Sequence, residues 1–169
     1  MNITLDNFLS ESYPRIFIER SLSTKESCMG RGLETGNGWF PLINSLCHNI
    51  QNYIDTHNKY QKNEPLISQV VFLQVKEKFG GLRIYHSGGD AYCRGLIAMA
   101  STLSYTVCEL CGDGGCRNVG PTSGWIQTIC VNCAKKTKRK IDLDSEIRMM
   151  LNNAVRKDNK GIVDFYASR

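Results

Sequence analysis

Four cysteines fall in two identically spaced pairs, Cys108-Glu109-Leu110-Cys111 and Cys130-Val131-Asn132-Cys133, with eighteen residues between the pairs. Each pair can set two thiolates on one side of a tight knuckle. Two facing knuckles complete a tetrahedral site with sulfur about 2.3 Å from one zinc ion. Gly112 follows the first pair, where a knuckle needs a residue free to adopt positive φ. Four thiolates leave the metal no open position, so the expected zinc is structural. The alternatives are a disulfide framework or a redox pair. Eight cysteines in 169 residues are too few for a disulfide scaffold. The first residues lack the basic-then-apolar pattern of a secretory signal, and the expected compartment is a reducing cytoplasm. Cys28, Cys47, Cys93 and Cys116 have no partner at ligand spacing.

A second chemistry is suggested by charge. The chain carries a formal +5, and Lys135, Lys136, Lys138, Arg139 and Lys140 supply all of it, leaving sixteen basic against sixteen acidic residues elsewhere. A basic run attracts phosphates by displacing condensed counterions, and its place beside a rigid ribbon suits nucleic-acid contact. The competing reading is a solvated linker.

A third candidate lies around Gly80-Gly81. Residues 69–86 read as a β-hairpin, rich in β-branched and aromatic residues on both sides of that turn. A two-residue Gly80-Gly81 turn sets Lys78 opposite Arg83, Glu77 opposite Ile84 and Lys76 opposite Tyr85. Leu73, Val75, Phe79, Leu82 and Ile84 then form an apolar face. Lys76, Lys78, Arg83 and Tyr85 form the other, able to hold an anion and stack on a ring; an ordinary solvated sheet face is the alternative. Glu77, His86 and Asp90 cluster in sequence near the hairpin and are the best candidates for acid–base chemistry. A structural role for each fits equally, and neither a phosphate-binding loop nor a nucleophile elbow accompanies them. The chain therefore reads as more plausibly a binding protein than an enzyme.

The elements that must position these residues follow from periodicity. A helix is expected near Leu5–Leu9, then a long loop to Gly38. Trp39, Leu42, Ile43, Leu46, Cys47, Ile50, Tyr53, Ile54 and His57 recur at helical spacing, with Pro41 in the first turn. Asp90 is a candidate cap for a helix striped by Tyr92, Leu96, Met99, Ala100 and Leu103 that leads into the first knuckle. Residues 117–119 and 125–129 are expected to form the ribbon's strands, joined by a turn at 120–124, with Trp125 packed over the ribbon or onto the core; an exposed anchor is the alternative. A further helix from Asp144 and an extended segment at 162–166 complete the chain. The expected class is α+β: a small helix, hairpin and helix core over 1–106, an integrated zinc ribbon over 107–134, and a basic linker with a C-terminal helix over 135–169. No apolar run is long enough to span a bilayer.

Several of these strings resemble a family of small bacterial and bacteriophage proteins. They are Ser27-Cys28-Met29 through Gly38-Trp39-Phe40, Gln74-Val75-Lys76-Glu77-Lys78-Phe79-Gly80-Gly81-Leu82-Arg83, Ser87-Gly88-Gly89-Asp90, the first cysteine pair, and Gly124-Trp125-Ile126 through Cys130. The likeness covers about residues 10–134. Members often end the second metal pair in histidine where this chain has Cys133, an exchange zinc tolerates. The resemblance implies a helix, hairpin, helix and zinc-knuckle unit in a prokaryotic or phage-infected cytoplasm, and implies no activity.

Two non-enzymatic classes result. One is a zinc-braced protein that contacts nucleic acid or a nucleoprotein complex through its basic and aromatic surface. The other, motivated by the phage-like resemblance, is an inhibitor of a host defence system, either directed at a host protein as an anti-CRISPR is or sequestering a nucleotide.

Overall fold

The computed structural model describes residues 1–60, 65–114 and 119–141. Within them the chain is a mixed helix and strand protein with two small antiparallel sheets. Helix α1 (Ile3–Ser12) starts where the Asn2 side chain accepts the Leu5 N–H, satisfying one of the unpaired amides of a helix start. Three single 3-10 turns, at Ile18–Ser21, Cys28–Arg31 and Asn37–Trp39, carry the chain to the long helix α2 (Phe40–Tyr60). The expected stripe is the buried one: Ile43, Leu46, Cys47, Ile50 and Ile54 are all in the core. Burying each of the larger of these contributes about 1.5–3 kcal/mol. His57, at the end of the stripe, pairs through Nε2 with the Pro65 carbonyl at 3.2 Å.

Strands β1 (Val71–Lys78) and β2 (Gly81–Ser87) form the hairpin, and Phe72, Val75 and Leu82 seal its inner face against α2 and helix α3 (Ala91–Leu103). Asp90 caps α3 as expected, accepting the Cys93 N–H at 3.0 Å. The expected stripe is not the buried one: Cys93, Ile97 and Ala100 face the core, whereas Tyr92, Met99 and Leu103 are exposed, because the helix turns the neighbouring row of residues to the hairpin and α2. The hairpin register differs from expectation by one residue. Its turn is Phe79-Gly80, both with positive φ (54° and 76°), so Lys78 faces Gly81, Glu77 faces Leu82, Lys76 faces Arg83 and Gln74 faces Tyr85. That is a type I′ geometry, matched to strand twist but rare for phenylalanine. Two contacts select it. The Glu77 carboxylate accepts the Gly80 N–H at 2.7 Å. The Thr128 hydroxyl, in turn, donates to the Gly80 carbonyl at 2.6 Å; Gly81 begins β2 against the Tyr105 ring, where a Cβ would come within 2.3 Å, so the position requires glycine. Phe79 is consequently turned out of the apolar face and is 66% exposed. A bulge between Phe72 and Gln74 shifts the register once more, and Glu34 bridges to Lys76 on the far side of β1.

The ribbon also differs in detail. Its strands are β3 (Val119–Pro121) and β4 (Thr128–Cys130), followed at once by helix α4 (Val131–Thr137). Gly120 and Pro121 are strand residues rather than turn, and Trp125 and Ile126 lie in the connecting loop. The loop closes at Thr122, whose N–H donates to the Gln127 carbonyl and whose Oγ1 donates to the Trp125 carbonyl at 2.6 Å. Trp125 does not pack inward; it is 75% exposed. No helix among the described residues is long and apolar enough to cross a membrane. The expected helix from Asp144, the segment at 162–166 and Cys116 lie outside the described residues.

Candidate metal centre and the surfaces it braces

Both knuckles are built by local hydrogen bonding. In the first, Gly112 at φ 80° donates its N–H back to the Cys108 carbonyl at 2.9 Å, folding Cys108 and Cys111 to the same side. In the second, Cys130 is the N-cap of α4 and its sulfur receives the Cys133 N–H at 3.4 Å. The four sulfurs lie within 4.8 Å of one another, and Cys111 Sγ to Cys130 Sγ is 3.7 Å. A tetrahedron with sulfur 2.3 Å from zinc has edges of about 3.8 Å, so the cluster matches one four-thiolate zinc. Cys108, Cys130 and Cys133 are buried around Ile129 and Ala134; only Cys111 reaches solvent. Cys108, Cys111, Cys130 and Cys133 thus form a single structural zinc site, as their spacing foretells. Outside the cluster, Cys28 is exposed, while Cys47 and Cys93 are buried and burial pushes both their pKa values up, away from the reactive thiolate form.

What the metal braces was not legible from spacing. Glu109, inside the first knuckle, is 4% exposed and reaches into the core unit. Its Oε1 accepts the Gly36 N–H at 2.8 Å, its Oε2 accepts the Gln127 side-chain amide at 2.7 Å, and its backbone bonds to Gly38 and Thr128. Beside it the buried Trp39 indole N–H donates to the Val107 carbonyl at 2.9 Å, and Thr128 Oγ1 donates to the Gly80 carbonyl at 2.6 Å. The ribbon is therefore bonded to the 36–39 segment and to the hairpin turn. A polar residue between two ligands usually faces solvent, so no signal in the sequence marks Glu109.

The predicted acid–base cluster is not assembled. Glu77 sits at the hairpin turn, paired opposite Leu82, while His86 lies at the other end of the same strands opposite Phe72. Asp90 is occupied as a helix cap and as the acceptor of the Tyr53 hydroxyl at 2.8 Å. Burial raises the Asp90 pKa, but the Cys93 and Tyr53 bonds outweigh it and hold the carboxyl below its ordinary value. Tyr53, donating to that carboxylate, is pushed up to about 12.

The predicted anion-binding residues divide into two groups. Lys76, Lys78, Arg83 and Tyr85 do share the outer hairpin face, but the register sets Lys76 rather than Lys78 opposite Arg83. An aromatic ring relieves each cation of that pair: Lys76 Nζ lies 5.3 Å from the Tyr85 ring centre, while Arg83 donates to the Tyr105 hydroxyl at 2.7 Å. Lys78 instead belongs to the turn, its Nζ 5.4 Å from the Phe79 ring. There Glu77, Phe79, Gly124, Trp125 and Ile126 join it to line a groove of about 330 Å³. Lys135 and Lys136 occupy the last turn of α4, where cations favour the helix dipole, and Lys138 ends the helix in the left-handed conformation. The run then folds back along the ribbon. Arg139 donates to Gln127 Oε1 at 2.9 Å, and the Lys140 carbonyl accepts the Ser123 N–H at 3.0 Å, two residues from Trp125.

Comparison of the chain with protein-family models, with curated proteins and with solved structures gave no match.

Proposed function

We propose that this protein is a zinc-braced binding module for single-stranded nucleic acid. The observation that carries the reading is the exposed pair Phe79 and Trp125 on one groove lined also by Lys78 and Glu77, with the Arg139 guanidinium and the Lys140 carbonyl bonded to the loop that carries Trp125. Large aromatics left in water beside fixed cations are what an unpaired base and its phosphates require: a ring to stack on and charge along the backbone. Phenylalanine in a left-handed turn points the same way, since that conformation costs about 1–2 kcal/mol that a glycine would avoid. The zinc supplies no chemistry to this surface. It holds β4, α4 and the loop between β3 and β4 in register with the hairpin turn.

The test is direct because Trp39 is buried and Trp125 is not. Titration with an oligothymidylate at low salt is expected to quench Trp125 emission, with an affinity that falls as salt rises. Trp125→Ala and Phe79→Ala each weaken binding about 5- to 150-fold, the range for losing one stacked base. No binding at low salt, or binding indifferent to both substitutions, would refute the reading.

A further inference from the structure

Among the described residues, strand β2 has one partner, β1. Which of its backbone groups face away from that partner follows from the bonds β1 makes on its other side. Phe72 N–H donates to Ile16, the Val75 carbonyl accepts from Glu34, and Glu77 N–H donates to the Glu34 carbonyl. These three residues therefore turn their peptide groups away from β2. In an antiparallel ladder their opposite numbers, His86, Ile84 and Leu82, turn theirs away from β1. Leu82 is closed off: its N–H donates to Ser104 Oγ at 2.9 Å and its carbonyl accepts from Arg83 at 3.0 Å. The N–H and C=O groups of Ile84 and His86 have no partner among the described residues.

Those four groups open into a groove of about 600 Å³ between β2 and α3. Its strand side carries Arg83 and Tyr85, and its helix side carries Arg94, Ala98, Met99 and Thr102. Both charged residues in the lining are cationic, and Met99 is 54% exposed. The buried Nδ1 of His86, in the same lining, also lacks a hydrogen-bond partner. A free strand edge beside a helix asks for a ligand that brings alternating amide donors and acceptors at strand spacing, which a peptide backbone does and a phosphate does not. The cationic lining selects among peptides.

We propose that the β2–α3 groove binds an extended acidic peptide, which adds as a strand to β2 at Ile84 and His86 and places carboxylates against Arg83 and Arg94. The site is separate from the Phe79–Trp125 groove and does not depend on it.

Amide hydrogen exchange on the whole protein tests the first half. Ile84 and His86 amides are expected to exchange rapidly in the free protein, while those of Arg83 and Tyr85, bonded to β1, are protected. If Ile84 and His86 are already protected without ligand, the edge is covered and the proposal falls. The second half uses a labelled nonapeptide of alternating valine and glutamate, a serine-for-glutamate copy, and a copy N-methylated at alternate residues. The acidic peptide is expected to bind at least tenfold tighter than either copy and to slow exchange at Ile84 and His86. Arg94→Gln, an exposed change, should remove most of the preference for the acidic peptide over the neutral one. Ile84→Pro deletes an outward N–H without touching the β1 ladder and should abolish binding; the N-methylated probe asks the same question if that variant does not fold. Binding unaffected by N-methylation, or an oligothymidylate that displaces the peptide from the Trp125→Ala variant, would overturn strand addition in favour of simple charge attraction.

Discussion

Glu109 offers the sharpest test of how ribbon and core depend on each other. Replacing it with alanine strips the acceptors from two donors, the Gly36 N–H at 2.8 Å and the Gln127 amide at 2.7 Å. A buried donor left without a partner costs about 1–3 kcal/mol, and these two are half-buried, so Glu109→Ala should destabilise by at least about 2 and at most about 6 kcal/mol. Against a total of about 5–15 kcal/mol for an ordinary domain, that is a large fraction. Glu109→Gln keeps an oxygen for Gly36 but sets one amide N–H₂ against another at Gln127, and should cost about 1–3 kcal/mol. Adding Gln127→Glu restores a donor–acceptor match and leaves an oxygen for Arg139, which now donates to Gln127 at 2.9 Å. The double variant should therefore recover most of the loss. Urea unfolding followed by buried Trp39 emission measures all three, with zinc content read on the same samples. Glu109→Ala unfolding at the wild-type urea midpoint with zinc retained would refute the claim that this carboxylate joins the ribbon to the core.

Other expectations follow from the same contacts. Cys108→Ser should drop zinc below one ion per chain by elemental analysis and lower the melting temperature of the whole protein, because the ribbon is bonded to the core at Gly36, Trp39 and Gly80. Gly38→Ala places a Cβ 2.2 Å from the Cys108 carbonyl and 2.4 Å from the Gly112 nitrogen, both backbone, and should cost about 1–3 kcal/mol in a urea melt. Burial raises the Glu77 pKa above its usual 4.5, more than the Gly80 N–H lowers it. The folded state thus favours the protonated acid. That contribution is fully present below pH 4.5 and is lost as pH rises through the raised folded value. Glu77→Gln, neutral at every pH and still able to accept from Gly80, should melt above wild type at pH 7, with the gap closing in acid.

The metal ligands and helix α2 were legible because their signals are local: a fixed ligand spacing, and an apolar stripe that α2 buries at Ile43, Leu46, Ile50 and Ile54. The cap and span of α3 were legible too, but not its buried face, since apolar residues lie on both sides of Cys93, Ile97 and Ala100. The hairpin register was not. Gly80-Gly81 is the better local turn, and what holds Phe79-Gly80 instead is a pair of bonds on Gly80, its N–H to the Glu77 carboxylate and its carbonyl to Thr128, 48 residues on. Trp125 misled for a related reason. An isolated tryptophan defaults to the core, but Thr122 closes its loop on both Trp125 and Gln127 and leaves the indole outside. Glu77, His86 and Asp90 looked like a cluster because sequence proximity says nothing of distance along a strand. Glu109 gave no signal, since its partners are 18 and 73 residues away.

That separation has a consequence in time. A chain synthesised from its amino end releases Trp39 and Gly36 long before Val107 and Glu109, their partners 68 and 73 residues later. At ribosomal rates of about 5–20 residues per second, the turn before α2 waits roughly 3–15 s with the Trp39 indole N–H unanswered. The knuckle that answers it needs Cys133, later still. Capture of the metal and closure of the last side of the core are then a single late event, and a cell short of zinc would accumulate newly made chains that are open on that side.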